Sequence, residues 1–452
     1  MMQSEAIAEM PQRKNILYIN THDTGRFIEP YGYAVPSPAL KRLADEGVLF
    51  RNAFCANPTC SPSRVALLSG MLPHSSEMYG LAHRGFRMND YSRHIVQFLN
   101  ANGYETVLAG YQHESHDVTK IGYQQVLTEV DCDMNADSLT PWDLENAGKA
   151  ADYLLRKKKD GRPFFLAYGL INTHKPYPDL DGTVNPDRVT LPHPLFDNDG
   201  NRKEMATFIQ AVRDADLCID KVLTALKESG LEEDTIVIFT TDHGLPLPNM
   251  KCTLYDTGIG VSLIMKCPGS VLQGRATDAL VSQMDLFPTL CDLTGLAKPD
   301  WLQGVSLKPL LDGKTDEVQG EIYAQINCHG GYDPTRCIRT KRYKLIKNFG
   351  DYPYTMGCNV DPGTSKEFMT AAGFFQRPRA KTMLFDLYLD PAERVNVADD
   401  ENYTAVKTEL EGKLHAKMVK TSDPLLNGRI PLYAGTIVNK AHCYSVSEKD
   451  YE

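Results

Sequence analysis

Apolar runs that break off into short polar clusters set the rhythm of this chain. Asn15-Ile16-Leu17-Tyr18-Ile19 runs into Asn20-Thr21-His22-Asp23, and Thr235-Ile236-Val237-Ile238-Phe239 runs through Thr240-Thr241 into Asp242-His243-Gly244. Arg162-Pro163-Phe164-Phe165-Leu166-Ala167-Tyr168 is a third such unit and continues to His174. An apolar run without alternation reads as a strand buried on both faces. Between the runs lie helical patterns, such as Ala206 to Ser229 closed by Gly230. Strands alternating with helices predict an α/β fold, a large, mainly parallel sheet between helical layers. Ligands of such folds bind beyond the carboxyl ends of the strands, where His22-Asp23 and Asp242-His243 fall.

After about Pro309 the pattern shortens. Glu321 to Ile326, Arg336 to Arg339, Tyr343 to Lys347 and Leu384 to Leu387 read as short antiparallel strands, and Asn402 to Met418 as an amphipathic helix packed on them. The expected division is a large α/β domain over residues 1–316 and a smaller α+β subdomain over 317–452. No internal repeat or low-complexity tract interrupts either part.

The 452 residues, 42% apolar and 23% charged, have the composition of a globular enzyme with an ample core. A net charge of −10 argues against binding nucleic acid or an anionic membrane, and no run approaches the ~20 apolar residues of a membrane span. Met1 to Arg13 carries Glu5 and Glu9 and lacks the apolar stretch of a secretory signal. The eleven cysteines are odd in number and scattered, which suits reduced thiols, so the cytoplasm is the expected compartment.

The densest chemical signal is Cys60-Ser61-Pro62-Ser63-Arg64, followed by Val65-Ala66-Leu67-Leu68-Ser69-Gly70. Pro is at home in the first turn of a helix, so Cys60 stands at a helix mouth, where unpaired N–H groups favour an anion. Arg64 adds a guanidinium suited to an oxyanion. The two strand-end pairs offer carboxylates and imidazoles to a divalent metal. Read singly, Cys60 is also a buried thiol, and each Asp is also a turn or cap.

Together these segments resemble the type I sulfatases of the alkaline phosphatase superfamily, whose signature Cys is converted after translation to formylglycine. The likeness runs from about residue 15 to 425. It implies the alkaline-phosphatase-like fold, a formylglycine at Cys60 and a calcium ion, with magnesium or manganese as alternatives. Asp23, Asp242, His243 and the Cys60 position are the implied ligands. His22 stands where the family has its first Asp, which removes an oxygen that calcium prefers. Gly110-Tyr111-Gln112-His113 resembles a Gly-Lys-x-His motif, making His113 the base that helps break down the sulfated intermediate, with Tyr111 in place of the lysine. His174-Lys175-Pro176-Tyr177 resembles a segment whose His touches the sulfate or protonates the leaving group. Lys251 matches the basic residue after the second ligand pair, and Arg64 that of the signature. Lys175, His83 and Tyr111 are added as substrate contacts.

Within the family, three stretches resemble the N-sulfoglucosamine sulfohydrolases: His74 to Leu81, Asp242 to Pro248 with Leu254-Tyr255, and Pro334 to Arg336 with Arg339-Thr340 and Tyr343 to Ile346. The resemblance implies hydrolysis of a sulfuric ester or sulfamate on a sulfated sugar, and a formylglycine-generating enzyme as a partner; a homo-oligomer is left open. A phosphonate monoester or phosphodiester hydrolase is the alternative, and a non-catalytic binder of sulfated glycans a more distant one.

Overall fold

A computed structural model describes residues 13–158 and 161–452; the reading of the first residues as lacking a secretory signal falls outside these. In chain order the strands are β1 Asn15–Thr21, β2 Val48–Phe50, β3 Ala53–Phe54, β4 Glu105–Gly110, β5 Gln125–Val126, β6 Phe164–Gly169 and β7 Thr235–Thr241. They continue with β8 Leu263–Lys266, β9 Arg275–Thr277, β10 Val281–Ser282, β11 Ile322–Cys328, β12 Tyr332–Arg339, β13 Tyr343–Asn348 and β14 Thr382–Asp386. The main sheet has the order β5-β4-β6-β1-β7-β8-β2-β9. It is parallel from β5 to β7, and β8 runs antiparallel to both its neighbours.

The predicted runs are the central strands, and both faces are covered. Ile16, Tyr18, Phe165, Ala167, Ile236 and Ile238 point to one side, into a core shared with helix α2, Cys60–Ser69, and helix α3, Ile95–Ala101. Leu17, Ile19, Leu166, Tyr168, Val237 and Phe239 point to the other, against α1 (Pro38–Glu46), α4 (Ala136–Arg156) and α5 (Asp199–Glu228). That period-two division explains why the runs are apolar without interruption. α5 begins seven residues before the predicted start, capped by Asn198, whose side chain accepts from Asn201 N at 2.8 Å. The apolar repeat that marks it begins only at Met205, so the first two turns carry no periodic signal.

The C-terminal strands form an antiparallel meander, β11-β12-β13-β14. One face packs on helix Thr404–Lys420 through Leu410, Leu414 and Met418, and the other joins the main core through Ala324, Ile326, Cys337 and Ile346. Two buried ion clusters fix this sheet. Arg336 grips Asp423 with two hydrogen bonds of 2.6 and 2.9 Å. Arg339 and Lys344 close on Asp256 at 2.9 and 2.5 Å, and Lys344 also reaches Glu393 Oε1 at 2.6 Å and Leu254 O at 3.1 Å. The second cluster bolts the sheet to the loop that follows Lys251. Among the described residues no helix is long and apolar enough to cross a membrane. All eleven cysteines are free.

Candidate active site

The parallel strands stop at a common edge. Asn20 of β1 lies level with Gly169 of β6 and Thr240 of β7, and Gly110 of β4 is level with Gly169. The polar segments after these strands, with His22-Asp23, Tyr111 to His113, His174 and Asp242-His243, are therefore delivered to one place. Gly110 and Gly169 permit the close approach: a Cβ on Gly169 would sit 1.9 Å from Tyr111 O, and Gly110 has φ +83°. The segment carrying His174 is anchored by Asp143 on α4, which accepts from Ile171 N and Asn172 N at 2.9 and 3.0 Å.

Two carboxylates form the centre. Asp23 has φ 55°, a left-handed conformation that aspartate tolerates, and its N–H donates to Asp242 Oδ1 at 2.8 Å. His22 Nδ1 lies 2.8 Å from Asp23 Oδ1 and 3.2 Å from Asp242 Oδ2. His243 Nε2 lies 3.2 Å from Asp23 Oδ1 and 3.5 Å from Cys60 Sγ. Ligand atoms of His22, Asp23, Cys60, Asp242 and His243 all fall within 4.8 Å of one another, and all five residues are buried. Burial pushes His22 down to about 4, against the pull of both carboxylates, so its ring is neutral near pH 7 and can offer a lone pair. Two hard carboxylates and two imidazoles fit a divalent cation, and the imidazoles widen the choice beyond calcium.

Cations flank this group. Arg64 Nε donates to Asp242 Oδ2 at 3.1 Å, while its Nη2 is buried without a partner. Lys251 Nζ lies between Asp23 Oδ2 at 2.9 Å and Asp361 Oδ2 at 3.1 Å. Cys60 is the first residue of α2, all of whose ten residues are buried. Burial pushes its thiol up, with Lys251 only partly offsetting it, so Cys60 stays protonated rather than becoming a thiolate.

The remaining sequence-chosen residues ring the centre. His174 meets His22 edge-on, with ring centroids 4.6 Å apart, and the Tyr111 ring lies beneath the Arg64 guanidinium at 5.6 Å. His113 Nε2 is 2.9 Å from His83 Nδ1, and its Nδ1 is buried without a partner. Burial holds His113 well below the usual histidine range, and burial together with Arg84 pushes His83 to about 4. Both rings are neutral and able to take a proton. Lys175 stands apart: its ammonium is held by Glu204 Oε1 at 2.5 Å and Pro362 O at 2.8 Å, on the wall of a neighbouring cleft.

Sequence reasoning missed His329 and Asp361. His329 follows β11, is 5% exposed, and has an Nδ1 without a partner; burial, then the Lys251 charge, pushes it to about 3. Asp361 is raised by burial but held down to about 2, chiefly by Lys251. The available signal was slight: a His before Gly330-Gly331 at a strand end, and an Asp-Pro-Gly that reads as an ordinary turn.

Comparison with known proteins identifies the family. Residues 14–296 match the family model described as Sulfatase, and residues 249–366 match that described as N-sulphoglucosamine sulphohydrolase, C-terminal. An ulvan-active sulfatase of Formosa agariphila is 28% identical over 94% of this chain and 84% of its own length. The human N-sulphoglucosamine sulphohydrolase is 26% identical over 86% of this chain and 87% of its own. A solved 2-O GAG sulfatase superposes with a TM-score of 0.72 at 20% identity, over 97% of this chain and 99% of that one, a likeness of fold.

Proposed function

Because this chain belongs to the sulfatase family and is a sulfuric ester hydrolase, we propose that it removes sulfate, ester- or nitrogen-linked, from a sulfated saccharide, with Cys60 matured to formylglycine by a dedicated enzyme. The observation that carries the reading is the meeting of His22, Asp23, Asp242 and His243 with Cys60 at one strand edge. Formylglycine supplies a hydrated aldehyde, and the divalent cation, calcium by default with magnesium or manganese as alternatives, supplies a positive centre for sulfate oxygens.

The chain's own residues divide the remaining work. Asp23, Asp242, His243 and His22 hold the cation. Arg64 is pinned by Asp242, so its partnerless Nη2 can donate to a sulfate oxygen without reorganising. Lys251 adds a second positive charge beside the Cys60 position. His174 protonates the departing oxygen or nitrogen, and neutral His113 takes a proton at Nδ1, its free nitrogen. Tyr111 fills the place of the family lysine and braces Arg64 by stacking. His83 and Lys175 border the substrate. In this reading residues 1–316 are the catalytic domain and residues 317–452 a subdomain that lends His329 and Asp361 to its mouth. Eleven free thiols support a reducing compartment, the cytoplasm.

Sulfate is favoured over phosphonate because both relatives above carry the name sulfatase or sulphohydrolase. The test is mass spectrometry of the Cys60 peptide from protein co-produced with a maturing enzyme, then turnover of sulfated mono- and disaccharides, an aryl sulfate and an aryl phosphonate. Conversion of Cys60 with turnover of a sulfated sugar is expected. Converted protein that leaves every sulfate intact, or that prefers the phosphonate, would sink the reading.

A further inference from the structure

Beside the centre lies a cleft of about 570 Å³ whose lining includes His174, Lys175, Tyr177, Lys203, Glu204 and Asp361. It meets the centre through His174, whose ring touches that of His22, and through Asp361, which faces Lys251. Its charges are not equivalent. Lys175 and Glu204 neutralise each other at 2.5 Å, and Glu204 also accepts from Thr364 Oγ1 and Ser365 N at 3.0 and 2.8 Å. Lys203 is exposed at the rim, where solvent screens it. Asp361 differs from all of these. Its Oδ2 lies 3.1 Å from Lys251 Nζ, a lysine already shared with Asp23, yet makes no hydrogen bond, and the side chain is 22% exposed.

A carboxylate at this point is unhelpful to a sulfate anion, and it is not a proton donor, because Lys251 keeps it ionised. Its remaining chemistry is to accept. An ionised carboxylate in a partly dry cleft welcomes a hydroxyl or ammonium donor and repels a second carboxylate. Building on the hydrolase reading, we propose that Asp361 is a specificity-determining residue. It selects sulfated hexoses and hexosamines that present hydroxyl or ammonium donors beside the reacting sulfate, and rejects sulfated uronates.

The test compares formylglycine-bearing, calcium-loaded protein on glucosamine N-sulfate and glucosamine 6-sulfate with its activity on a Δ4,5-unsaturated hexuronate 2-sulfate. A preference for a glucosamine sulfate of about 10²-fold in kcat/KM is expected. In Asp361→Asn, which keeps the shape and removes the charge, that ratio should shrink by about 10-fold or more; damage through Lys251 alone would lower both substrates together and leave the ratio unchanged. A uronate sulfate turned over as well as or better than both glucosamine sulfates, or an unchanged ratio in Asp361→Asn, overturns the proposal. A second arm needs no turnover: saturation-transfer NMR of unsulfated methyl glucosaminide and methyl glucuronide with Cys60→Ala protein. Binding of the glucosaminide alone, lost when Asp361→Asn is added, supports the assignment; equal binding of the glucuronide overturns it. If no sulfate is turned over at all, the hydrolase reading fails while this arm still decides the role of Asp361.

Discussion

Two ion clusters sit either side of the Lys251 loop, one of acids with Arg and Lys alone and one that adds imidazoles and a thiol. In the bolt under the C-terminal sheet, Arg339 and Lys344 each reach Asp256, and Lys344 reaches Glu393 as well. In the centre, buried polar atoms of His22, Arg64, His113 and His329 have no partner. Buried polar groups are costly unless paired, so these four unpartnered atoms beside the two carboxylates are capacity that a ligand can take up. In the bolt only Glu393 Oε1 lacks hydrogen-bond geometry, with Lys344 Nζ 2.6 Å away, whereas the centre leaves a free polar atom on four side chains.

The difference can be broken from the centre outwards. Cys60→Ala should lower turnover by about 10⁴-fold or more, with an unfolding transition like that of wild type. Retained turnover would remove Cys60 from the chemistry. Asp242→Asn comes next, costing about 10²-fold or more in kcat/KM. Chelation should lower the wild-type Tm and leave that of Asp242→Asn unmoved, because only the intact site is stabilised by the ion. Equal shifts in both proteins would put the metal elsewhere.

The bolt should fail in the reverse sense. Lys344→Met leaves Glu393 without its cation and Asp256 with Arg339 alone, and should cost about 3–5 kcal/mol in denaturant unfolding, while folded molecules keep kcat within a few-fold. A large loss of kcat at unchanged stability would erase the distinction between the clusters. The bolt also carries a pH signature. Burial pushes Asp256 up, but Lys344 and then Arg339 outweigh it and hold the carboxyl well below the ordinary range. A depressed acid contributes stability that is complete above its unfolded pKa of about 3.9 and drains away as the pH falls below it. Acid unfolding should therefore be shallower below about pH 4 in Asp256→Asn than in wild type. The mildest effect is expected at the cleft wall. Lys175→Ala should raise KM by less than about 10-fold, since its ammonium stands apart from the centre, whereas Lys251→Ala, against Asp23, should cost about 10²-fold.

The centre was legible in the chain because each parallel strand announces itself as an apolar run and its last residues as an abrupt polar cluster. Register then needs little information: β1, β6 and β7 end level, so His22, His174 and Asp242 meet. Arg339 and Lys344 were visible as part of a branch-like pattern, but their partner Asp256 was not, because ion pairing across the fold leaves no periodic trace. His329 and Asp361 escaped for a related reason. They stand on connections of the C-terminal subdomain, where position is set by packing against a distant sheet edge rather than by any repeat along the chain.

The complete burial of α2 has a consequence in time. In a helix with no exposed residue the hydrogen-bonded amides, here from Ser63 onward, exchange slowly because they need a large opening of the core. With 2% of its surface exposed, Cys60 is out of reach of another macromolecule in the native state. Any protein that must handle this side chain meets it only before the chain closes, which makes the order of synthesis, modification and folding part of how the centre is built.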